Sequence, residues 1–425
     1  GRLHVERYWS VRYEASGARS LAENAERLDA ALREAVEVRL VADVPVGAFL
    51  SGGLDSSLVV ALMQRASGEP VRTFSIGFEE SSFNELEPAR RVARFLGTRH
   101  REHVVRYDVR DLLPELVAHF GEPFADSSAI PTYQLSRLTR QEVTVALSGD
   151  GGDEVFGGYR RYQARVLAEV YNRWPPLLGR GLAERLIRRL GDPATYYGSS
   201  LRKKTRRFAE FAAAVRDEPR TSWAFFFGEA EKTSLYTSDF ADSLECGTDL
   251  PTLGPYLEQQ AHCPGQQMLW LDLMTYLPDD ILAKVDRMSM ACSLETRAPL
   301  LDHHVVELMA GVPRQHKLGL GSSKRLLRAV ARRYLPSWVL ERPKQGFAVP
   351  LAAWLQRGLR PWMEDLLLGP SLRQRGYFRP QEVARLVGAH LSGQWDCSQQ
   401  LWALMVLEEW ARQESSAPRA VAVGG

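Results

Sequence analysis

Apolar positions along the chain switch repeatedly between a helical and an extended rhythm. Leu21, Ala25, Leu28, Ala31, Leu32, Val36 and Leu40 recur at helical spacing with charges between them, which predicts a helix over 21–41 after an extended entry segment, 1–20. The apolar run at 44–50 reads as a buried strand, and 71–78, 100–105 and 143–147 are further strand candidates. Between them, 58–62, 85–96 (closed by Gly97) and 109–120 carry helical spacing. Strands separated by helices point to an α/β chain with a parallel sheet sandwiched by helices. From about residue 160 the strand rhythm fades, and 160–245, 265–310, 322–334 and 379–413 read as helical, a region capping the sheet. No internal repeat is visible, and the small residues at 415–425 predict a disordered tail.

Two strands end in loops rich in glycine and carboxylates. The first reads Ser51-Gly52-Gly53-Leu54-Asp55-Ser56-Ser57 and opens a helix. Glycine at such a turn lets the backbone approach a ligand closely. Amide N–H groups at the helix start favour phosphate, the serines add hydroxyl donors, and Asp55 offers a carboxylate for Mg²⁺. No Gly-Lys-Ser/Thr closes the loop, so it is not a Walker A loop. Without a lysine to grip a γ-phosphate, cleavage between the α- and β-phosphates is the more natural use. The second loop, Ser148-Gly149-Asp150-Gly151-Gly152-Asp153-Glu154, crowds three carboxylates together. Like charges so close call for a cation. Read alone the segment fits an acidic surface turn equally well; beside a phosphate loop, a Mg²⁺ site shared by Asp55 and Asp153 is favoured. Ligands of a parallel sheet sit at the carboxyl ends of its strands, so one cleft can hold both loops.

A third segment runs from Leu277 through Asp279, Asp280, Lys284, Asp286 and Arg287, and on through Glu295 and Arg297 to His303. By pattern alone it is a solvated helix face; its functional reading is a cationic group offsetting phosphate charge in a transition state.

Bulk numbers exclude rather than identify. The chain has 425 residues, 45% hydrophobic and 25% charged, with a net charge of +2. Neither nucleic acid nor an anionic membrane is expected as main partner, and no apolar run approaches the length of a spanning helix. Arg202-Lys203-Lys204-Thr205-Arg206-Arg207 is the one dissenting basic stretch and reads as a solvated surface. Cys246, Cys263, Cys292 and Cys397 form no C-x-x-C, which suggests neither zinc nor a disulfide framework and fits a reducing cytoplasm. His303 and His304 read as polar residues at a helix start, and Trp270, Trp354, Trp362, Trp395, Trp402 and Trp410 as helix packing. Lys344-Gln345-Gly346-Phe347 is either a plain turn or a loop near the cleft.

The first loop resembles the pyrophosphate loop of ATP pyrophosphatases. The three segments together, with Arg7-Tyr8-Trp9, the stretch from Lys344 to Pro350 and Leu401-Trp402-Ala403-Leu404, resemble the synthetase domain of glutamine-dependent asparagine synthetases. The resemblance implies an adenine nucleotide alpha hydrolase-like fold over 21–414, with 1–20 as a linker from a glutaminase domain that this chain does not carry. It implies ATP and Mg²⁺, attack of the aspartate side-chain carboxylate on the α-phosphorus, release of pyrophosphate, and capture of the acyl-AMP by ammonia to give asparagine. By motif position Ser51, Gly52, Gly53, Asp55, Ser56 and Ser57 would hold pyrophosphate. Ile76, Ser148 and Gly149 would contact adenosine beside Phe49 or Leu50, and Asp55 and Asp153 would bind Mg²⁺. Asp150 stands where the family commonly has Glu, a proton acceptor when ammonia adds, and its reach is one methylene shorter. Arg287 stands at a position often held by Lys, with Lys284 the other cationic candidate. Ammonia would come from a glutaminase domain of the full-length protein, from a separate subunit or from solution; a homodimer is compatible with the family.

Glu122-Pro123-Phe124-Ala125-Asp126-Ser127-Ser128 lacks the Arg of the family's best-understood substrate loop, so the acceptor is open. β-Lactam synthetase or lasso-peptide cyclase chemistry is the alternative. A tRNA-modifying enzyme and a scaffold without chemistry are the remaining ones.

Overall fold

The computed structural model describes residues 3–13, 19–77, 85–104, 109–172, 212, 226–244, 256, 266–319, 321–342 and 349–416. Helix α1 (Leu21–Arg39) starts at a capping box: the Ser20 hydroxyl accepts from the Glu23 amide while the Glu23 carboxylate accepts from the Ser20 amide. Its buried face, Ala25, Leu28, Leu32, Ala35 and Val36, follows the spacing read in the sequence. Strand β1 (Val46–Phe49), α2 (Leu54–Ala66), β2 (Arg72–Gly77), α3 (Leu86–Leu96), β3 (Arg99–Val104) and α4 (Val109–Phe120) follow in alternation. Gly97 stops α3 with a φ of 71°, a conformation that glycine adopts without a Cβ penalty. Then come α5 (Ala129–Arg140), β4 (Val145–Leu147), the short α6 (Gly152–Phe156) and α7 (Arg160–Asn172).

With β5 (Glu295–Arg297) at one edge, the strands form one parallel sheet in the order β3-β2-β1-β4-β5. The chain winds from β1 through β2 to β3 on one side, then returns to place β4 on the other side of β1. That reversal makes the β1–β4 boundary the topological switch point, where parallel sheets open a crevice for ligands. Both glycine loops leave the sheet there.

Strand β5 (Glu295–Arg297) was not expected from the sequence, because 265–310 reads as helical. Three polar residues carry no readable period, and the edge position needs no apolar face. The rest of that stretch is helical: α8 (Gln267–Met274), a π-helical turn (Leu277–Leu282), α9 (Ala283–Met290) and α10 (His303–Ala310). Helix α5 also escaped the pattern. It is buried nearly all round, and its buried positions include Thr132, Gln134, Ser136 and Thr139, so burial does not follow an apolar stripe that the sequence would display. The 322–334 stretch holds α11 (Arg325–Ala331). The 379–413 stretch is two helices, α13 (Pro380–Leu391) and α14 (Ser398–Ser416), preceded by α12 (Arg360–Leu368).

One apolar cluster joins α1, α2 and α3 to α10 and α11 on one face of the sheet, through Leu28, Leu32, Leu58, Val60, Val92, Val305, Leu326 and Val330. On the other face Phe74, Ile76 and Ala146 pack against Leu135 and Leu138 of α5. A further cluster ties α4 and α5 to the C-terminal helices through Leu112, Leu116, Ile130, Met363, Val383, Leu401 and Met405. Trp270 and Trp402 are buried in these clusters, whereas Trp395 is exposed in the turn between α13 and α14. Asp302 caps α10 by accepting from the His304 amide and pairs with Arg39 at 2.8 Å, which gives the Asp302-His303-His304 group a helix-start role. Cys292 and Cys397 are free thiols, and Cys246, Cys263, the 202–207 basic stretch and Lys344–Phe347 lie outside the described residues. Among the described residues, no helix is long and apolar enough to cross a membrane.

Candidate active site

The loop after β1 is held open from within. The Ser51 and Ser56 hydroxyls lie 2.9 Å apart, the Ser51 amide donates to Ser56 Oγ, and the Gly53 amide donates to Ser51 Oγ. Gly52 has a φ of 69°, and a Cβ there would sit 2.6 Å from the backbone of Pro88 and Ala89. The turn therefore needs glycine both for its left-handed backbone and for the close approach of α3. Gly53 caps α2, so the first amides of a thirteen-residue helix open onto the cleft with Asp55 in the first turn.

The loop after β4 touches the first one through its backbone. A Cβ on Gly149 would stand 2.7 Å from the Ser56 amide nitrogen, and one on Gly152 2.6 Å from the Asp55 carboxyl carbon. Two bends almost a hundred residues apart are thus in van der Waals contact, because β1 and β4 are paired neighbours.

They line a cleft of about 580 Å³. Lys324, just ahead of α11, sets its ammonium between the two loops, 2.6 Å from Asp153 Oδ1 and bonded to Asp55 Oδ2. Burial opposes charge on this lysine, but Asp55 and Asp153 outweigh burial and hold the group above the ordinary lysine value. Asp150 stands between this cluster and Lys284. It accepts from Ser148 Oγ at 2.7 Å, yet burial, with Asp55 and Asp153 nearby, pushes its carboxyl up.

The far end of the cleft is built from side chains on helices. Lys284 of α9 pairs with Asp126 at 2.6 Å, and Asp126 also accepts from the Ser128 amide and hydroxyl. Burial works against Asp126, but Lys284 and Ser128 outweigh it and hold the carboxyl below its usual range. Asp280, on the π-helical turn, goes the other way: burial and the Asp126 charge push it up to about 7, against the pull of Lys284. Arg161 lies 4.3 Å from the Tyr159 ring centroid and 4.8 Å from that of Tyr276, and bonds Asp272 at 2.7 Å. At the edge of the first loop, Arg342 donates to the Ser51 carbonyl and faces Glu85 at 3.6 Å.

Of the residues picked from the sequence, Phe49, Leu50, Ser51, Gly53, Asp55, Ser56, Ile76, Ser148, Gly149, Asp150, Asp153 and Lys284 all line the cleft. Gly52 supports the loop from behind, and Ser57 is fully buried beneath it. Arg287, three positions beyond Lys284 on α9, is exposed and is not among the residues lining the cleft. Sequence reasoning missed Lys324, Arg328, Arg342, Glu85 and Tyr276. Lys324 follows two serines ahead of an apolar helix, an unremarkable surface pattern; its φ of 52° and its burial come from tertiary packing.

The profile of the family described as Asparagine synthase matches residues 27–412. The chain is 32% identical over 381 residues to asparagine synthetase (glutamine-hydrolyzing) 1 of Bacillus subtilis, an alignment covering 89% of this chain and 58% of that protein. It is 33% identical over 411 residues to a putative asparagine synthetase (glutamine-hydrolyzing) of Mycobacterium tuberculosis, covering 96% and 60% respectively. A more distant relative, 25% identical over 409 residues with 87% and 59% coverage, is amidase chry2 of Gibberella zeae. The chain therefore spans about 60% of the length of the curated relatives it matches.

Proposed function

Since the chain belongs to the asparagine synthase family, we propose that it is an ATP-dependent amide-forming ligase that activates a carboxylic acid as its acyl-AMP and passes the acyl group to ammonia. The observation that carries this reading is the backbone contact between the loops after β1 and β4 at the switch point of the sheet, with two carboxylates around one cation position.

In this mechanism the acceptor carboxylate attacks the α-phosphorus of ATP. The amides at the start of α2, with the Ser51 and Ser56 hydroxyls, hold the phosphates that leave as pyrophosphate. Asp55 and Asp153 are the residues that would hold Mg²⁺. The fit rests on their present arrangement: both already reach a single cationic nitrogen, and Gly152 and Gly158 lack the Cβ atoms that would crowd them. When bound, Mg²⁺ supplies neutralisation of phosphate charge. Lys284, on the acceptor side, stabilises negative charge growing on the reacting carboxyl and phosphoryl oxygens. Ammonia then adds to the acyl carbon, the nitrogen sheds a proton, and AMP departs. Asp150 is the carboxylate best set to receive that proton, because burial raises its basicity. The glutamine-hydrolysing relatives support a glutaminase unit as the source of ammonia.

Aspartate is the acceptor this reading puts first. A second reading, with an ammonium-bearing acid whose α-carboxylate is masked, is favoured by the charges at the far end of the cleft. There Lys284 and Arg161 are engaged by Asp126 and Asp272, and Asp280 adds a further carboxylate. Pyrophosphate release with ATP, Mg²⁺ and ammonium, measured with L-aspartate and with its α-amide, tests both. Release that needs aspartate and yields asparagine supports the first reading; preference for the α-amide supports the second. Release with neither refutes the assignment to these acceptors.

A further inference from the structure

Lys324 is held in an uncommon way. Its backbone sits in the left-handed region, with a φ of 52°, which costs energy in a residue with a Cβ. Its side chain is 6% exposed and reaches back across the cleft to bridge Asp55 and Asp153. Gly158 leaves room for this: a Cβ there would fall 1.8 Å from Asp153 Oδ1 and 2.1 Å from Lys324 Cε. A strained backbone, a buried ammonium and a glycine cradle thus converge on one arrangement. The carboxylates it engages are the two that the proposed reaction needs for Mg²⁺. An ammonium between them and a divalent ion requiring near-octahedral oxygen ligands at about 2.1 Å cannot occupy the same space.

We propose that Lys324 is a resident counter-ion that closes the Asp55–Asp153 pair to free divalent cations and yields it only to the cation–triphosphate complex. The phosphate oxygens of that complex give the displaced ammonium a new partner, so exchange costs little charge separation, whereas a free ion would have to expel a buried ammonium toward solvent and repel it there. Metal and nucleotide would then enter as one unit, and the carboxylates would stay neutralised between turnovers. This inference rests on the reading of Asp55 and Asp153 as the metal-holding pair.

The test uses the full chain and Mn²⁺ as probe, with free ion counted by electron paramagnetic resonance. It is run with and without α,β-methylene-ATP, which is not cleaved between its first two phosphates. Wild type is expected to take up Mn²⁺ poorly alone and readily with the analogue, uptake being the fall in free ion beyond that caused by the analogue without protein. K324M should bind Mn²⁺ alone on the order of ten- to a hundredfold more tightly than wild type, since a neighbouring positive charge has been removed. Its melting temperature should rise with added Mn²⁺ while that of wild type does not. K324R should behave as wild type, and K324Q serves if K324M fails to fold. Equal Mn²⁺ affinity in wild type and in the neutral variants overturns the gate. D153N separates the two claims: if it still takes up Mn²⁺ with the analogue as wild type does, the metal-holding pair is wrong. If D153N loses that uptake while K324M matches wild type, only the gate is wrong.

Discussion

The two ends of the cleft are made differently. At the end we propose for the nucleotide, as opposed to the end proposed for the acceptor, the surface is backbone: a left-handed Gly52 against α3, Gly149 against the Ser56 amide, and the opening amides of α2. At the acceptor end it is side chain. Asp126 comes from the turn before α5, Arg161 from α7, Tyr276 and Asp280 from the segment around the π-helical turn, and Lys284 from α9, joined by ion pairs and by Arg161 over the Tyr159 and Tyr276 rings. Backbone surfaces tolerate few residue types, because any Cβ collides. Side-chain surfaces can be rebuilt one residue at a time without disturbing the sheet. A chain made this way can keep its phosphate chemistry while its acceptor changes.

The comparison breaks most visibly if the nucleotide end survives damage. Asp153→Asn removes one of the two carboxylates that converge on the cation position, and we expect pyrophosphate release to fall by about 10³-fold. Gly149→Val forces the two loops apart, since its Cβ would begin 2.7 Å from the Ser56 nitrogen. We expect a loss of about 10²-fold, with circular dichroism unchanged. Near-normal release in either variant would mean that phosphate is held elsewhere.

Lys284 and Arg287 sharpen the boundary between the ends. Lys284→Met removes the one cation of the Asp126 pair and leaves two carboxylates facing each other, so adenylate formation should drop about 10²-fold. Arg287→Met, on the exposed side of the same helix, should stay within about twofold. A reversed order in single-turnover pyrophosphate release would restore Arg287 as the phosphate cation.

This asymmetry also explains what the sequence could convey. Ser51 to Ser57 and Ser148 to Glu154 are contiguous, and each follows an apolar run, so glycine, charge and strand end could be read together. The strands paired as parallel neighbours because the alternation left few other solutions. Lys324 could not be found that way: it lies 269 positions from Asp55, and the packing of α11 against α1, α2 and α6 brings it there. Arg287 was chosen from its place in a motif, but motif position does not say on which side of a helix rim a side chain emerges. Strand β5 and helix α5 escaped for a shared reason: both place polar residues where the apolar pattern of an element would be looked for.

At the acceptor end, Asp280→Asn tests recognition apart from chemistry. The substitution removes the carboxyl that burial and Asp126 push up to about 7 and leaves the nucleotide loops untouched. If Asp280 receives an ammonium group of the acceptor, KM for that acid should rise about tenfold while KM for ATP holds. An equal rise in both would show that the two ends are not separable.

An effect on stability rather than on rate sits at the margin between backbone and side-chain construction, at Glu85. Burial pushes its carboxyl from 4.5 to about 7, against the pull of Arg342, the same arginine that donates to the Ser51 carbonyl. A carboxyl whose folded value is raised binds its proton more tightly in the folded than in the unfolded chain. Its contribution to stability is therefore complete below pH 4.5 and is lost as pH rises toward 7, by up to about 3 kcal/mol at roughly 1.4 kcal/mol per unit. Glu85→Gln cannot titrate. The difference in melting temperature between the variant and wild type should move in favour of the variant as pH rises from about 5 to about 8, then level off. Thermal scans across that range decide it. A difference that stays constant would mean that Glu85 remains ionised throughout, held by Arg342, and that the first loop is braced by a permanent ion pair rather than by a neutral carboxyl.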